Sequence, residues 1–178
     1  MATYVALLRG INVGGKTLPM AGLRASLSEL GLEQVVTYIQ SGNVVFDSSD
    51  RAAGLRPAIE KRIADDFGLG VTVILRTPPG LDQVVAHNPF GADEPDLARL
   101  HVVFLEDTPT AGAESRLEPD RSPGDRFQLH GRELYLHLPN GAGRSKLTLD
   151  YIERRLGVRG TARNWNTLLK LLALARER

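Results

Sequence analysis

Apolar positions along the chain alternate between two periods. Tyr4-Val5-Ala6-Leu7-Leu8 is a continuous apolar run of strand length, and Met20, Leu23, Leu27 and Leu30 then recur at helical spacing until Gly31 stops the helix. Val35 to Gln40 and Asn43 to Phe46 are rich in β-formers and flank Ser41-Gly42, which predicts a tight antiparallel hairpin. Ser48, Ser49 and Asp50 offer N-caps for a helix through Leu55, Ile59 and Ile63 that closes at Gly68. Pro57 predicts that this helix starts near it or bends before it. Val71 to Leu75 completes the order βαββαβ, a split βαβ module.

The second half repeats that order without visible sequence identity. Leu81 to His87 predicts a short helix, Leu100 to Leu105 a strand, and 109–117 a weaker helix. Phe127-Gln128-Leu129 and Glu133 to Leu138 flank His130-Gly131-Arg132 as a second hairpin. Ser145 is read as the cap of a helix to about Leu156, Arg159–Ala162 as extended, and a last helix starts at Asn164 or Trp165. The expected boundaries are a first module over 1–78, a connecting helix and linker over 79–99, and a second module with a C-terminal helix over 100–178.

At 178 residues with a hydrophobic fraction of 42%, the chain has ample material for a core, so disorder is not expected. There is no cysteine, which excludes disulfides, a thiol nucleophile and cysteine-based zinc sites. No signal-peptide pattern opens the chain, and no apolar run reaches the ~20 residues of a membrane span. The expectation is a cytoplasmic protein. The formal net charge is +1, yet residues 91–125 carry nine acidic groups against three basic, and 144–178 the reverse. Such asymmetry either marks an anion-binding end or brings the two segments together through surface ion pairs.

The chemistry with most promise lies in the first loop, Arg9-Gly10-Ile11-Asn12-Val13-Gly14-Gly15-Lys16-Thr17. Glycine admits left-handed backbone and close approach to a ligand. Arg9, Asn12 and Lys16 supply donors, with the backbone N–H groups of Gly14 and Gly15 converging on an anion. Gln40 and Asn43 are placed to buttress the loop from the hairpin. The first and third strands are taken as parallel neighbours, which sets loop 9–18 beside 47–50 and loop 139–145 at the equivalent edge of the second module.

Gly10, Gly15, Lys16 and Thr17 also satisfy the P-loop spacing, and Val102 to Asp107 imitates a strand ending in a magnesium carboxylate. Two features argue against a nucleotide triphosphatase. Pro19 best starts the helix, leaving Lys16 and Thr17 in the loop, whereas a P-loop places them in the first turn. The predicted hairpin also conflicts with the parallel sheet of P-loop folds.

A second loop, Pro139-Asn140-Gly141-Ala142-Gly143-Arg144-Ser145-Lys146, repeats the glycines and basic residues ahead of a helix. A third cluster, Thr161 to Thr167, contributes Arg163. Ser145, Lys146 and Arg163 therefore join the candidate ligand-binding set. The four histidines, at 87, 101, 130 and 137, show no metal-ligand spacing, and no serine lies in a nucleophile elbow. No metal, cofactor or catalytic constellation is assigned.

These same blocks resemble a known bacterial family, domain of unknown function 1697. The resemblance is carried by Leu7 to Lys16, by Tyr38 to Val44, by Pro139-Asn140-Gly141 with Ser145-Lys146-Leu147, and by Arg163-Asn164-Trp165 with Thr167. It implies an α+β fold of duplicated ferredoxin-like (βαββαβ) modules with antiparallel sheets and an extra C-terminal helix. It implies no activity. Thr17 departs from the Asn common in the family, and that one position creates the P-loop match.

The reading that follows is a protein binding a phosphate-bearing ligand, a nucleotide or nucleic acid. Nucleic acid is the weaker branch, because aromatics are only 6% and most sit in strands. The alternatives are a small-molecule enzyme using Arg9 and Lys16 against developing negative charge, with His137 or Glu106 as general base, and an interaction protein in which the loop only packs.

Overall fold

The structure, a computed structural model, describes residues 1–11 and 17–178. Its strands are β1 (Ala2–Arg9), β2 (Glu33–Tyr38), β3 (Asn43–Ser48), β4 (Thr72–Arg76), β5 (Leu100–Leu105), β6 (Arg126–His130), β7 (Glu133–His137) and β8 (Gly160–Asn164). Its α-helices are α1 (Met20–Glu29), α2 (Ala52–Phe67), α3 (Pro78–Ala86), α4 (Leu149–Leu156) and α5 (Trp165–Arg176). They build two four-stranded sheets, ordered β2-β3-β1-β4 and β6-β7-β5-β8. Every neighbouring pair is antiparallel. The chain divides into two compact units, one of residues 1–82 with 170–178 and the other of residues 83–169. No helix among the described residues is long and apolar enough to cross a membrane.

In the first unit, Tyr4, Ala6 and Leu8 of β1 share a core with Val44 and Phe46 of β3, Leu23 and Leu27 of α1, and Ile59 and Ile63 of α2. The period-2 strand and the i, i+4 helix pattern thus meet on one face of the sheet. α2 starts at Ala52 and carries Pro57 inside it, so it neither begins at the proline nor takes a side-chain cap from Ser48, Ser49 or Asp50. Ser48 instead accepts from the Asp50 backbone, holding the turn ahead of the helix.

The parallel pairing expected of the first and third strands is overturned. β1 pairs β3 antiparallel, from Ala2↔Ser48 to Leu7↔Asn43. The helical crossover sets β2 in the direction of β1, and the hairpin then reverses β3, which inserts between them. β1 consequently ends beside the 39–42 corner, while 47–50 is at the opposite end of the sheet. The same reversal holds for β5 and β7.

The helices of the first unit are also tied by a polar network. The buried Ser26 hydroxyl donates to Asp66 at 2.5 Å, and Arg62 donates to Asp66 at 2.7 Å and to Glu29 at 2.6 Å. The Ser26 hydrogen bond, then that of Arg62, holds the Asp66 carboxyl below its ordinary value of 3.8. A carboxyl more acidic in the folded than in the unfolded chain adds stability above the unfolded value and loses it as pH falls through the folded one. Denaturant titrations between pH 5 and pH 2 are expected to show a shallower acid loss in Ser26→Ala than in the parent chain.

In the second unit, Val103 and Leu105 of β5 share a core with Leu134 and Leu136 of β7 and with Tyr151, Ile152 and Leu156 of α4. A 3-10 turn, Ala113–Arg116, stands where a helix over 109–117 was expected. The cap of α4 is Thr148, whose hydroxyl accepts from the Tyr151 backbone at 3.3 Å, and not Ser145. Ser145 accepts from Leu147 in the turn before it. The acidic and basic segments do meet in ion pairs, Glu118 with Arg155 at 3.2 Å and Glu106 with Arg159 at 3.5 Å.

Candidate functional site

The first candidate is the end of the first sheet at which β1 stops. Arg9 is its last residue, half-buried and in register with Thr72 of β4. Asn12, Gly14, Gly15 and Lys16 lie outside the described residues. Thr17 precedes α1, which begins at Met20 with Pro19 as its N-cap residue. An antiparallel sheet and a helix that starts beyond the Lys-Thr pair both depart from P-loop architecture.

The hairpin corner 39–42 presses against this strand end. Asn43 is fully buried, and its amide donates to the Tyr38 carbonyl at 3.0 Å and to the Ser41 hydroxyl at 2.8 Å. Asn43 therefore holds the corner shut from within. The Gly42 carbonyl accepts from the Leu8 backbone at 2.8 Å, and Gly42 takes φ +84 with its missing Cβ directed at Ile11. Gln40 is exposed on the corner. Ile39 is unusual: a β-branched residue at φ 52, in the left-handed region, with 51% of its surface exposed.

The remaining sequence candidates belong to the second unit. Lys146 is exposed; its backbone N–H donates to the Ser122 hydroxyl at 3.1 Å and its carbonyl accepts from Arg121 at 3.2 Å. Arg163 is only 7% exposed within β8, donating to the Thr161 hydroxyl at 2.6 Å and to the Ala162 carbonyl at 2.9 Å. Burial pulls its guanidinium down to about 10. Arg163 is thus a buried cation engaged with its own strand.

The structure also assembles a cluster that no spacing in the sequence announced. His137, at the end of β7, is nearly buried; its Nε2 lies 2.8 Å from Glu94 Oε2, and Arg126 of β6 donates to its Nδ1 from Nε at 3.2 Å. Arg126 also lies over the Phe90 ring at 4.8 Å and 3.5 Å from Asp93. The His137 hydrogen bond, then one from the Asp96 backbone, holds the Glu94 carboxyl below its ordinary range. Glu94 and His137 are 43 residues apart, and the one trace in the sequence is the acidic turn Asp93-Glu94-Pro95-Asp96.

Neither candidate general base is poised for proton transfer. Both ring nitrogens of His137 are engaged, and Glu106 is tied to Arg159. Glu106 does line a cleft of about 440 Å³ with Asp107, Asp150, Glu153 and Arg154. No group of three or more His, Asp or Glu among the described residues is arranged to hold a metal ion. His101 is half-buried, and burial lowers its pKa below the ordinary histidine value. The Tyr135 hydroxyl donates to the Val84 carbonyl at 2.8 Å inside the second unit.

Fold and site together define a mixed α+β protein with two four-stranded antiparallel sheets and, among the described residues, five α-helices. Residues 1–135 match the family described as "Protein of unknown function (DUF1697)", and the chain belongs to that family. It is similar to the solved structure of the conserved bacterial protein SP0830 from Streptococcus pneumoniae, at 26% identity over 99% of both chains with a TM-score of 0.75. No curated protein matches it.

Proposed function

We propose that the chain binds a phosphate-bearing ligand, a nucleotide before nucleic acid, where β1 runs into the 9–18 loop. Arg9, Asn12 and Lys16, with the N–H groups of Gly14 and Gly15, are the contacts of the reading, and Gln40 and Asn43 support them from the hairpin. The observation that carries it is the 39–42 corner. A β-branched residue in left-handed backbone costs roughly 1–3 kcal/mol, and such strain persists mainly beside working sites. Here the strained residue, Ile39, also offers exposed apolar surface at the sheet end from which the loop departs, which suits a base more than a bare phosphate. In the second unit, Ser145 and Lys146 offer a further anion contact, and Arg163 supports β8 from within. The shared strand order of the two sheets and the β1α1β2β3α2β4 order of the first unit support reading both as ferredoxin-like modules.

The test is a thermal-shift titration with ATP, pyrophosphate and inorganic phosphate. ATP is expected to raise the Tm most. Lys16→Ala is expected to weaken ATP binding about tenfold, as loss of one charged hydrogen bond does, and to flatten its salt dependence. Equal affinity in parent and variant would overturn the assignment, and turnover of the ligand would favour an enzyme.

A further inference from the structure

We propose that the contact between Arg126 and His137 is a pH-sensitive latch on the segment that connects α3 to β5. A guanidinium only donates, so Nδ1 of His137, 3.2 Å from Arg126 Nε and 3.1 Å from its Nη2, must be the bare acceptor nitrogen. The ring proton therefore sits on Nε2 and points at Glu94 Oε2, 2.8 Å away. Only one place is left for a second proton, Nδ1, and a proton there faces two N–H groups of Arg126. Protonated His137 and Arg126 in its present position exclude one another.

The groups around the ring make the outcome directional. From the connecting segment come the carboxylates of Glu94 and Asp93 and the ring of Phe90, which stacks on His137 at 6.0 Å, while Arg99 acts on Glu94 through space. From β6 comes Arg126, and from β5 the register neighbour is Leu100, which carries no charge. Glu94 stabilises the imidazolium and stays in place when it forms. Arg126 must leave, and it takes with it the cover over Phe90 and the tie to Asp93. Acidification thus frees the 90–93 end of the segment while tightening its Glu94 end, where the Asp96 backbone donates to Glu94 at 2.9 Å.

Nitrogen-15 NMR of the intact chain, titrated from pH 8 to pH 5, reads both halves of the latch. At pH 8 the His137 ring is expected as the Nε2–H tautomer, with an Arg126 Nε–H protected from exchange relative to a free guanidinium at the same pH. As the ring gains its second proton, that protection, taken against the intrinsic rate at each pH, is expected to fall at least tenfold. Protection of the Phe90 and Asp93 amides is expected to fall with it, while β5 and β7 are unchanged. In Arg126→Gln the side-chain amide presents nitrogen to the bare ring and oxygen to the protonated one, so the pH dependence at 90–93 should vanish. An Nδ1–H tautomer at pH 8, a ring neutral down to pH 5, or an Arg126 signal indifferent to ring protonation would each overturn the latch. The wild-type titration decides this even where the variant does not fold.

Discussion

Gly42→Ala is expected to lower the unfolding free energy by about 3 kcal/mol in urea denaturation, from two physical sources. A residue with a Cβ at φ +84 carries roughly 1–2 kcal/mol of steric cost that glycine escapes. The new methyl would also stand 2.6 Å from Ile11 Cδ1 and 2.9 Å from Leu8 Cβ. Ile11 is buried and Leu8 Cβ moves only with its backbone, so relief requires shifting β1 against the corner, an overpacking cost of about 1–3 kcal/mol. Gly54→Ala is the control: it lies in α2 with nothing within 4 Å of the added methyl, and should raise stability by up to ~1 kcal/mol. If Gly42→Ala proves neutral, the corner is not pressed against the end of β1, and its support of the proposed ligand site is lost.

Arg178→Ala should cost a similar amount, about 3 kcal/mol. The Arg178 and Asp47 side chains are each 9% exposed and lie 3.2 Å apart. The guanidinium also donates to the carbonyls of Gln34 at 2.5 Å and Val45 at 3.1 Å. Those carbonyls flank the irregularity between Glu33 and Val36, where Gln34 takes φ 48 and the β2–β3 ladder is interrupted. Removing the cation leaves Asp47 with the Thr3 hydroxyl at 2.7 Å and takes a charged donor from both carbonyls. Arg178→Lys should recover only part, since an ammonium cannot span a carboxylate and two carbonyls as a planar fork does. In the Asp47→Ala, Arg178→Ala double variant the loss should be well below the sum of the singles, because neither charge is then stranded. A loss under about 0.5 kcal/mol in Arg178→Ala would place this pair among ordinary surface contacts.

The local grammar of this chain is legible in its sequence. Hydrophobic period and turn residues located the strands and the longer helices, because a 2-residue or 3.6-residue repeat is a property of neighbouring positions. The resemblance carried by residues 7–16 and 38–44 pointed to the family that residues 1–135 match. Where short-range rules compete, packing decides between them. Thr148 took the cap assigned to Ser145, since both residues precede the same apolar run and only the path of the 139–147 loop chooses between them. Helix α2 ran through Pro57, since its buried Leu55, Ile59 and Ile63 outweigh one awkward ring.

Sequence alone determined most of the strands and the longer helices, that a glycine-rich basic stretch follows β1, and that the chain has no thiol. Tertiary structure decided what those segments meet. It set β1 antiparallel to β3, so that β1 ends beside the 39–42 corner and not beside 47–50, and it brought Glu94, Arg126 and His137 together across 43 residues. The reason is that strand direction and side-chain partners depend on how the chain closes on itself, a property of long-range packing that no window of adjacent residues contains.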